Sequence, residues 1–247
     1  MLKRTLGILC LLALLGFSDN SFRKEQKKFS RVKTAYEEKW SSVKLKLEKA
    51  GVDTSNFEIF IRIFKIDAIA EVWARSGAKG SFKLVEKYPI CSSSGEPGPK
   101  RRQGDGQVPE GFYEVKVFNP TSSYHLSLGI NYPNRADKII GGKTDLGGDI
   151  MIHGNCVTIG CIPLTDDKIK EVYILAVEAR NAGQQRIQIH IFPTALNDKN
   201  LEALTNKMRD KSKSAFWTSI APGYNFFESK KVLPKISVDT KGNYVFE

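Results

Sequence analysis

The chain has 247 residues, 41% of them hydrophobic, and a formal net charge of +11. This composition can fill the core of one or two domains and excludes a disordered chain. Residues 22–50 carry ten Lys or Arg against four Glu, while residues 51–247 carry 26 basic and 22 acidic side chains. The positive excess is therefore a property of one segment, and no basic face for nucleic acid runs along the chain.

Lys3 and Arg4 precede an apolar run from Leu6 to Phe17, and Gly16 and Ser18 are small residues placed for a cut after Ser18. This pattern predicts a signal peptide over residues 1–18 and an exported protein of the periplasm or cell envelope. Cys10 lies inside the apolar run. Removal of the segment leaves Cys91, Cys156 and Cys161, an odd set that points to a reactive thiol or an intermolecular bridge.

Residues 19–55 form a basic helical segment. Phe29, Val32, Tyr36, Trp40, Val43 and Leu47 recur at spacings of three and four and mark one apolar stripe on a helix over residues 22–50. The stripe fits packing on the body of the protein, with a peripheral membrane contact as the competing placement. The period then changes to two. Phe57, Ile59, Ile61 and Ile63 alternate with Glu58, Phe60 and Arg62, and strand-like stretches follow at 69–74, 82–90, 112–118 and 124–130. Residues 95–108, GEPGPKRRQGDGQV, form an extended loop by composition. A short apolar strand ends at His153, Thr165 opens a helix, and Ile187, Ile189 and Ile191 mark another strand. Residues 198–210 read as a short helix and the tail from 211 as weakly patterned. His125 and His190 read as surface histidines. The pattern predicts a mainly β, α+β domain over residues 56–195 with peripheral helices, followed by a C-terminal extension over 196–247.

The chemistry concentrates in IHGNCVTIGCIPLTDD, residues 152–167. A thiol attacks only as its thiolate, so Cys161 needs a base, and His153 lies eight residues before it. Gly160 removes bulk beside Cys161 so that backbone amides can face a developing oxyanion, and Thr158 can hydrogen-bond in the same turn. Two plainer readings compete: a buried cysteine with a satisfied histidine, and a zinc site from His153, Cys156 and Cys161. The second lacks a CxxC pair and a fourth ligand.

The string His153-Gly154-x3-Thr158-x-Gly160-Cys161 resembles the active-site signature of the L,D-transpeptidase catalytic domain (YkuD-like) family. Gly104 to Tyr113, Tyr88 to Lys100 and Tyr132-Pro133-Asn134 resemble three further elements in the same order, and together they look most like the branch of the murein L,D-transpeptidase YafK. The resemblance covers about residues 57–195 and implies a β-sandwich catalytic domain. It also implies a cysteine enzyme that forms or exchanges amide bonds at diaminopimelate of peptidoglycan stem peptides through a Cys161 thioester. Ile159 and Pro163 stand where the wider family often has His and Arg.

By this resemblance Cys161 is the nucleophile, His153 its general base, and Gly160 part of the turn presenting the thiol. A backbone carbonyl orients the histidine, with no acidic third partner. Thr158, Gly154, Asn134, Tyr132, Lys100 and Arg101 are the candidate substrate-binding residues, the last two as partners for stem-peptide carboxylates. No cofactor and no metal are implied. The alternatives are a hydrolase cutting diaminopimelate–lysine links between peptidoglycan and a protein, and a non-catalytic wall-binding protein. Cys91 and Cys156 are candidates for a disulfide that leaves Cys161 free.

Overall fold

A computed structural model describes residues 20–247 of the chain. The expected signal peptide over 1–18, its cut after Ser18 and Cys10 lie outside the described residues. No helix among the described residues is long and apolar enough to cross a membrane.

Eight strands join in one curled sheet: β1 (Phe57–Phe64), β2 (Ile69–Ser76), β3 (Lys83–Pro89), β4 (Gly111–Asn119), β5 (Ser127–Ile130), β6 (Met151–His153), β7 (Ile162–Pro163) and β8 (Gln188–Phe192). Their order is β3-β2-β1-β8-β4-β5-β6-β7. The β1–β8 and β6–β7 pairs are parallel and the others antiparallel. β4 belongs to both halves, and its register shifts between Val115 and Val117, an irregularity that bends a strand. The helices are α1 (Asn20–Gln26), α2 (Ser30–Lys49), α3 (Arg135–Gly141), α4 (Asp166–Asn181), α5 (Asp198–Lys207) and α6 (Lys211–Lys230). A hairpin of β9 (Ile236–Val238) and β10 (Tyr244–Phe246) closes the chain. The class is α+β as expected. Helices take a larger share than the pattern implied, chiefly through α6.

β1 explains much of this plan. Its residues Phe57, Ile59, Ile61 and Ile63 enter the same core as Ile169, Val172, Tyr173 and Ala176 of α4. Past Glu58 the alternate residues are buried too: Phe60 packs with Trp73, Phe82 and Phe227 of α6. Arg62, 4% exposed, donates from Nε and Nη2 to Glu71 at 2.9 and 2.7 Å, and from Nη1 to Glu228 of α6. Its guanidinium lies 4.9 to 5.5 Å from the rings of Phe64, Trp73, Tyr224 and Phe227. Such a cation is held by paired charge and by ring faces together.

α6 occupies much of the tail that reads as weakly patterned. Asp210 caps it by accepting from Ser212 N and Lys213 N, and Trp217, Ile220, Tyr224 and Phe227 form its buried face. Pro222 sits inside the helix and lysines flank both ends, which hides the period. The same cover corrects the reading of His190. It is 1% exposed on β8, between the rings of Phe60 and Phe112, and burial pushes its pKa down to about 3. His125 does not belong to β5; it precedes the strand with a φ of 69° and is half-buried.

The N-terminal stripe packs on α4. The expected single helix breaks at Lys27–Phe29 into α1 and α2. Val32, Tyr36, Val43 and Leu47 are buried, Trp40 is half-buried, and Phe29 stays 40% exposed. Polar bonds fix the register. Tyr36 Oη donates to Glu178 at 2.5 Å, Arg23 pairs with Glu178 at 3.1 Å, and Lys46 and Tyr88 both donate to Glu171. Glu171 and Glu178 are two turns apart on α4, 4% and 6% exposed, and would be buried unpaired carboxylates without these partners.

Removing one partner of a buried charge pair leaves the other uncompensated. Arg62→Met is expected to lower unfolding stability by about 3–5 kcal/mol. Adding Glu71→Gln should return part of that loss, and the coupling is read from urea midpoints of the two single variants and the double variant. Strictly additive losses would contradict the pairing.

Candidate active site

His153 ends β6, where the parallel ladder to β7 aligns it with Pro163 and aligns Ile152 with Ile162. Cys161 immediately precedes β7, so this short ladder sets the two residues on adjoining strands. His153 is 2% exposed. Its Nδ1 lies 2.5 Å from the carbonyl oxygen of Gly154, which can only accept, so Nδ1 carries the proton and Nε2 is left with its lone pair. This carbonyl is the orienting group that the resemblance implies and the sequence does not identify. The Tyr124 ring packs on the imidazole at 4.8 Å. A side chain on Gly154 would run into Asp166 and His125, at 2.6 and 2.9 Å from the added Cβ, which explains the glycine.

The turn before Cys161 is closed by Thr158. Its Oγ1 accepts from the Gly160 amide at 3.0 Å and donates to the Cys161 carbonyl at 2.7 Å. The Gly160 amide is therefore committed to the turn. Gly160 itself has a φ of 139°, a conformation that favours glycine. Thr158 thus builds the turn that presents Cys161, with Ser94 Oγ 3.4 Å from it.

Cys161 is half-buried and its thiol is free. Burial pushes the thiol pKa up, opposed by a hydrogen bond from the Met151 amide and by the charge of Lys100. Burial also pushes His153 down, against the raising effect of the Gly154 carbonyl. Both shifts favour neutral thiol beside neutral imidazole at rest.

A cavity of about 230 Å³ opens at Cys161. Ile63, Ile90 and Ile162 give it apolar wall, and the run from Ser92 to Pro97 gives it polar edge. The disulfide between Cys91 and Cys156, with Cα atoms 5.4 Å apart, ties the start of that run to the loop between His153 and Cys161. The Cys91 amide adds a bond to the Pro163 carbonyl at 3.1 Å. The disulfide also removes Cys156 from any zinc set with His153 and Cys161. Among the described residues no three His, Cys, Asp or Glu are placed to hold a metal ion.

The other candidates lie away from the thiol or are engaged. Lys100, 4% exposed, donates to Asp105 at 2.6 Å and to the Arg102 carbonyl at 2.8 Å, so it organises the 95–108 loop. Tyr132 is buried, with its hydroxyl 3.2 Å from the Leu146 carbonyl. Asn134 caps α3 and donates to Phe112 O and Tyr244 Oη. Arg101 pairs with Asp137 at 3.3 Å and lines a different cleft, beside α6 and the β9–β10 hairpin. Burial pushes the Asp137 carboxyl up to about 6. The β6–β7 ladder sets the His153–Gly154 end of one strand alongside the chain that carries Thr158, Gly160 and Cys161; of the sequence candidates Cys161 lines the cavity, and His153, Lys100, Tyr132, Asn134 and Arg101 do not. The Ser92–Ser94 edge and Tyr124 were not singled out from sequence, although the serines follow Cys91 directly within one of the family-like elements.

The L,D-transpeptidase catalytic domain family model matches residues 70–189. Two curated relatives, each named Putative L,D-transpeptidase YafK, come from Escherichia coli (strain K12) and Escherichia coli O157:H7. Each is 35% identical over 189 residues, which covers 76% of this chain and 73% of the relative. Among solved structures, the helical cell shape determining protein Pgp2 from Campylobacter jejuni is similar at 19% identity and a TM-score of 0.44, over 80% of each chain.

The two shifts give the pH dependence a sign. Because the Cys161 thiol is raised, its alkylation by iodoacetamide should be slow at neutral pH and keep accelerating above the ordinary thiol range. Because His153 is depressed, any turnover that uses it as a base should hold to pH values below the ordinary imidazole range. Peptide mapping without reduction should find the label on Cys161 and not on Cys91 or Cys156. A thiol that alkylates at full rate already at pH 7 would refute the neutral resting pair.

Proposed function

Since the chain belongs to the L,D-transpeptidase catalytic domain family, we propose that it is a cysteine acyltransferase acting on peptidoglycan stem peptides. The observation that carries the reading is a free, half-buried thiol at a cavity, at the start of the strand paired with the one that ends in a histidine whose Nδ1 is tied to a backbone carbonyl.

In the first half-reaction His153 Nε2 takes the Cys161 proton as the sulfur attacks the carbonyl carbon of a diaminopimelate residue. A C–S bond forms, the C–N bond to the next residue breaks, and His153 returns the proton to the leaving amine. In the second half-reaction the thioester carbonyl is attacked by an amine, giving a new amide, or by water, giving a free acid. His153 accepts the attacking group's proton and passes it to the departing sulfur. The neutral resting pair suits this cycle, since charge separates only once substrate has displaced water from the cavity. Export to the cell envelope accords with a Cys91–Cys156 disulfide, a bond that persists in oxidising compartments.

Digestion of purified muropeptides, protein-linked ones included, followed by mass spectrometry tests this reading. The wild type should shorten or cross-link stem peptides at diaminopimelate, and Cys161→Ser should lose at least roughly a thousandfold in turnover while keeping its fold. His153→Ala should be nearly as damaging, because members of a catalytic unit are not additive. Wild-type turnover in Cys161→Ser would end the assignment.

A further inference from the structure

Part of the wall of the Cys161 cavity runs through Glu96, Pro97 and Val108, in a loop without a strand ladder to hold it. Buried charge holds it instead. Lys65, just past β1, sends Nζ to the carbonyl oxygens of Glu96 at 3.0 Å, Gly98 at 2.8 Å and Val108 at 2.8 Å, and pairs with Glu110 at 3.1 Å. The Glu110 side chain has no exposed surface. One of its oxygens accepts from the Gly98 amide at 2.7 Å and the other from Trp217 Nε1 at 2.7 Å. Lys213, one turn before Trp217 on the same side of α6, donates to the Pro97 carbonyl at 3.1 Å.

The three donors therefore come from two places distant in sequence: Lys65 and Lys213 bond loop carbonyls directly, and Trp217 acts through the Glu110 carboxylate that accepts from the Gly98 amide. Lys65, Lys213 and Trp217 all lie outside the segment matched by the family model, which ends at residue 189. Lys65 lines the cavity, whereas Lys213 and Trp217 do not reach it. An ammonium has three protons to place, and here the acceptors are carbonyls of residues far apart in the loop, so the loop's path follows the position of Nζ. A hydrophobic tail packed on the sheet would need none of these bonds.

Resting on the reading that a stem peptide is processed in this cavity, we propose that Lys65, Trp217 and Lys213 are positioning residues for substrate. They fix the wall against which the stem peptide lies, and α6 is thereby a specificity element of the enzyme. Their contribution acts on how well substrate fits, while Cys161 keeps its own supports in the β6–β7 ladder and the Thr158 turn.

The test compares full-chain Trp217→Phe, which keeps a buried ring but loses the donor, with Lys213→Met. Two readings are taken on each: kcat and KM with a disaccharide-tetrapeptide muropeptide, and the rate of Cys161 alkylation by iodoacetamide. The expected result is a KM raised roughly fivefold to tenfold, the effect of about one hydrogen bond, with kcat and alkylation within about twofold of wild type. An unchanged KM in Lys213→Met overturns the proposal, as does a fall in kcat and alkylation that parallels the change in KM. Should Trp217→Phe fail to fold, Lys213→Met alone decides. A wild type that leaves muropeptides untouched refutes the proposed function, and the wall is then read by amide hydrogen exchange in Lys213→Met. Faster exchange at Glu96 to Gly98 with β1 unaltered supports the positioning role, and unchanged exchange there overturns it.

Discussion

Strand β1 must be covered on both faces, and the rest of the molecule is arranged around that requirement. Ile59, Ile61 and Ile63 need an apolar partner on one side, which α4 supplies. Phe60 and Arg62 need one on the other, and α6 supplies it with Phe227, Tyr224 and Glu228. Each covering helix then creates a need of its own. α4 buries two carboxylates, and α1 and α2 bring the Tyr36, Arg23 and Lys46 groups that satisfy them. α6 brings an indole N–H into the interior, and Glu110 receives it. The elements flanking the matched catalytic segment are consequences of an apolar two-faced strand and of the polar groups its cover drags inside.

His153 and Cys161 sit at the ladder between β6 and β7, the last pair in the strand order that begins with β3. That placement separates two tasks. The ladder and the Thr158 turn fix the position of Cys161, and the Gly154 carbonyl fixes the imidazole. The disulfide, the Lys65 cluster and α6 fix the cavity wall. Burial keeps thiol and imidazole uncharged, so the site stores no ion pair that water would stabilise in the absence of substrate.

Legibility in the sequence followed the range of the interactions. His153, Gly160, Cys161 and Thr158 were legible because their chemistry lies within nine residues of chain. The strands from β1 to β4 and helix α4 were legible because their periods are unbroken. The pairing of Cys91 with Cys156 could be named because the resemblance reserves Cys161 as the nucleophile, which leaves the other two cysteines beyond the first segment as the pair. The histidine's orienting group could not be named, since a backbone carbonyl has no signature. α6 was hidden by Pro222 and by a face whose apolar residues serve a distant strand. His190 alternates with isoleucines as a surface residue would, and only the aromatic layer beneath α6 buries it. Lys100 and Arg101 looked like free loop cations because nothing in the sequence pairs them with Asp105 and Asp137.

The Cys91–Cys156 bond also acts on the chain before it folds. It joins residues 65 apart, and the loop so closed contains β4, β5, α3, β6 and the histidine. In the chain-entropy account, closing a loop of this length removes roughly 4 kcal/mol of conformational freedom from the unfolded ensemble. The β4–β5 and β5–β6 pairings both lie within this restricted loop, so the oxidised chain searches a smaller space for the β4–β5–β6 register than the reduced one. The same covalent bond that pins the edge of the cleft thus shortens the list of wrong partners available to the strands that build it.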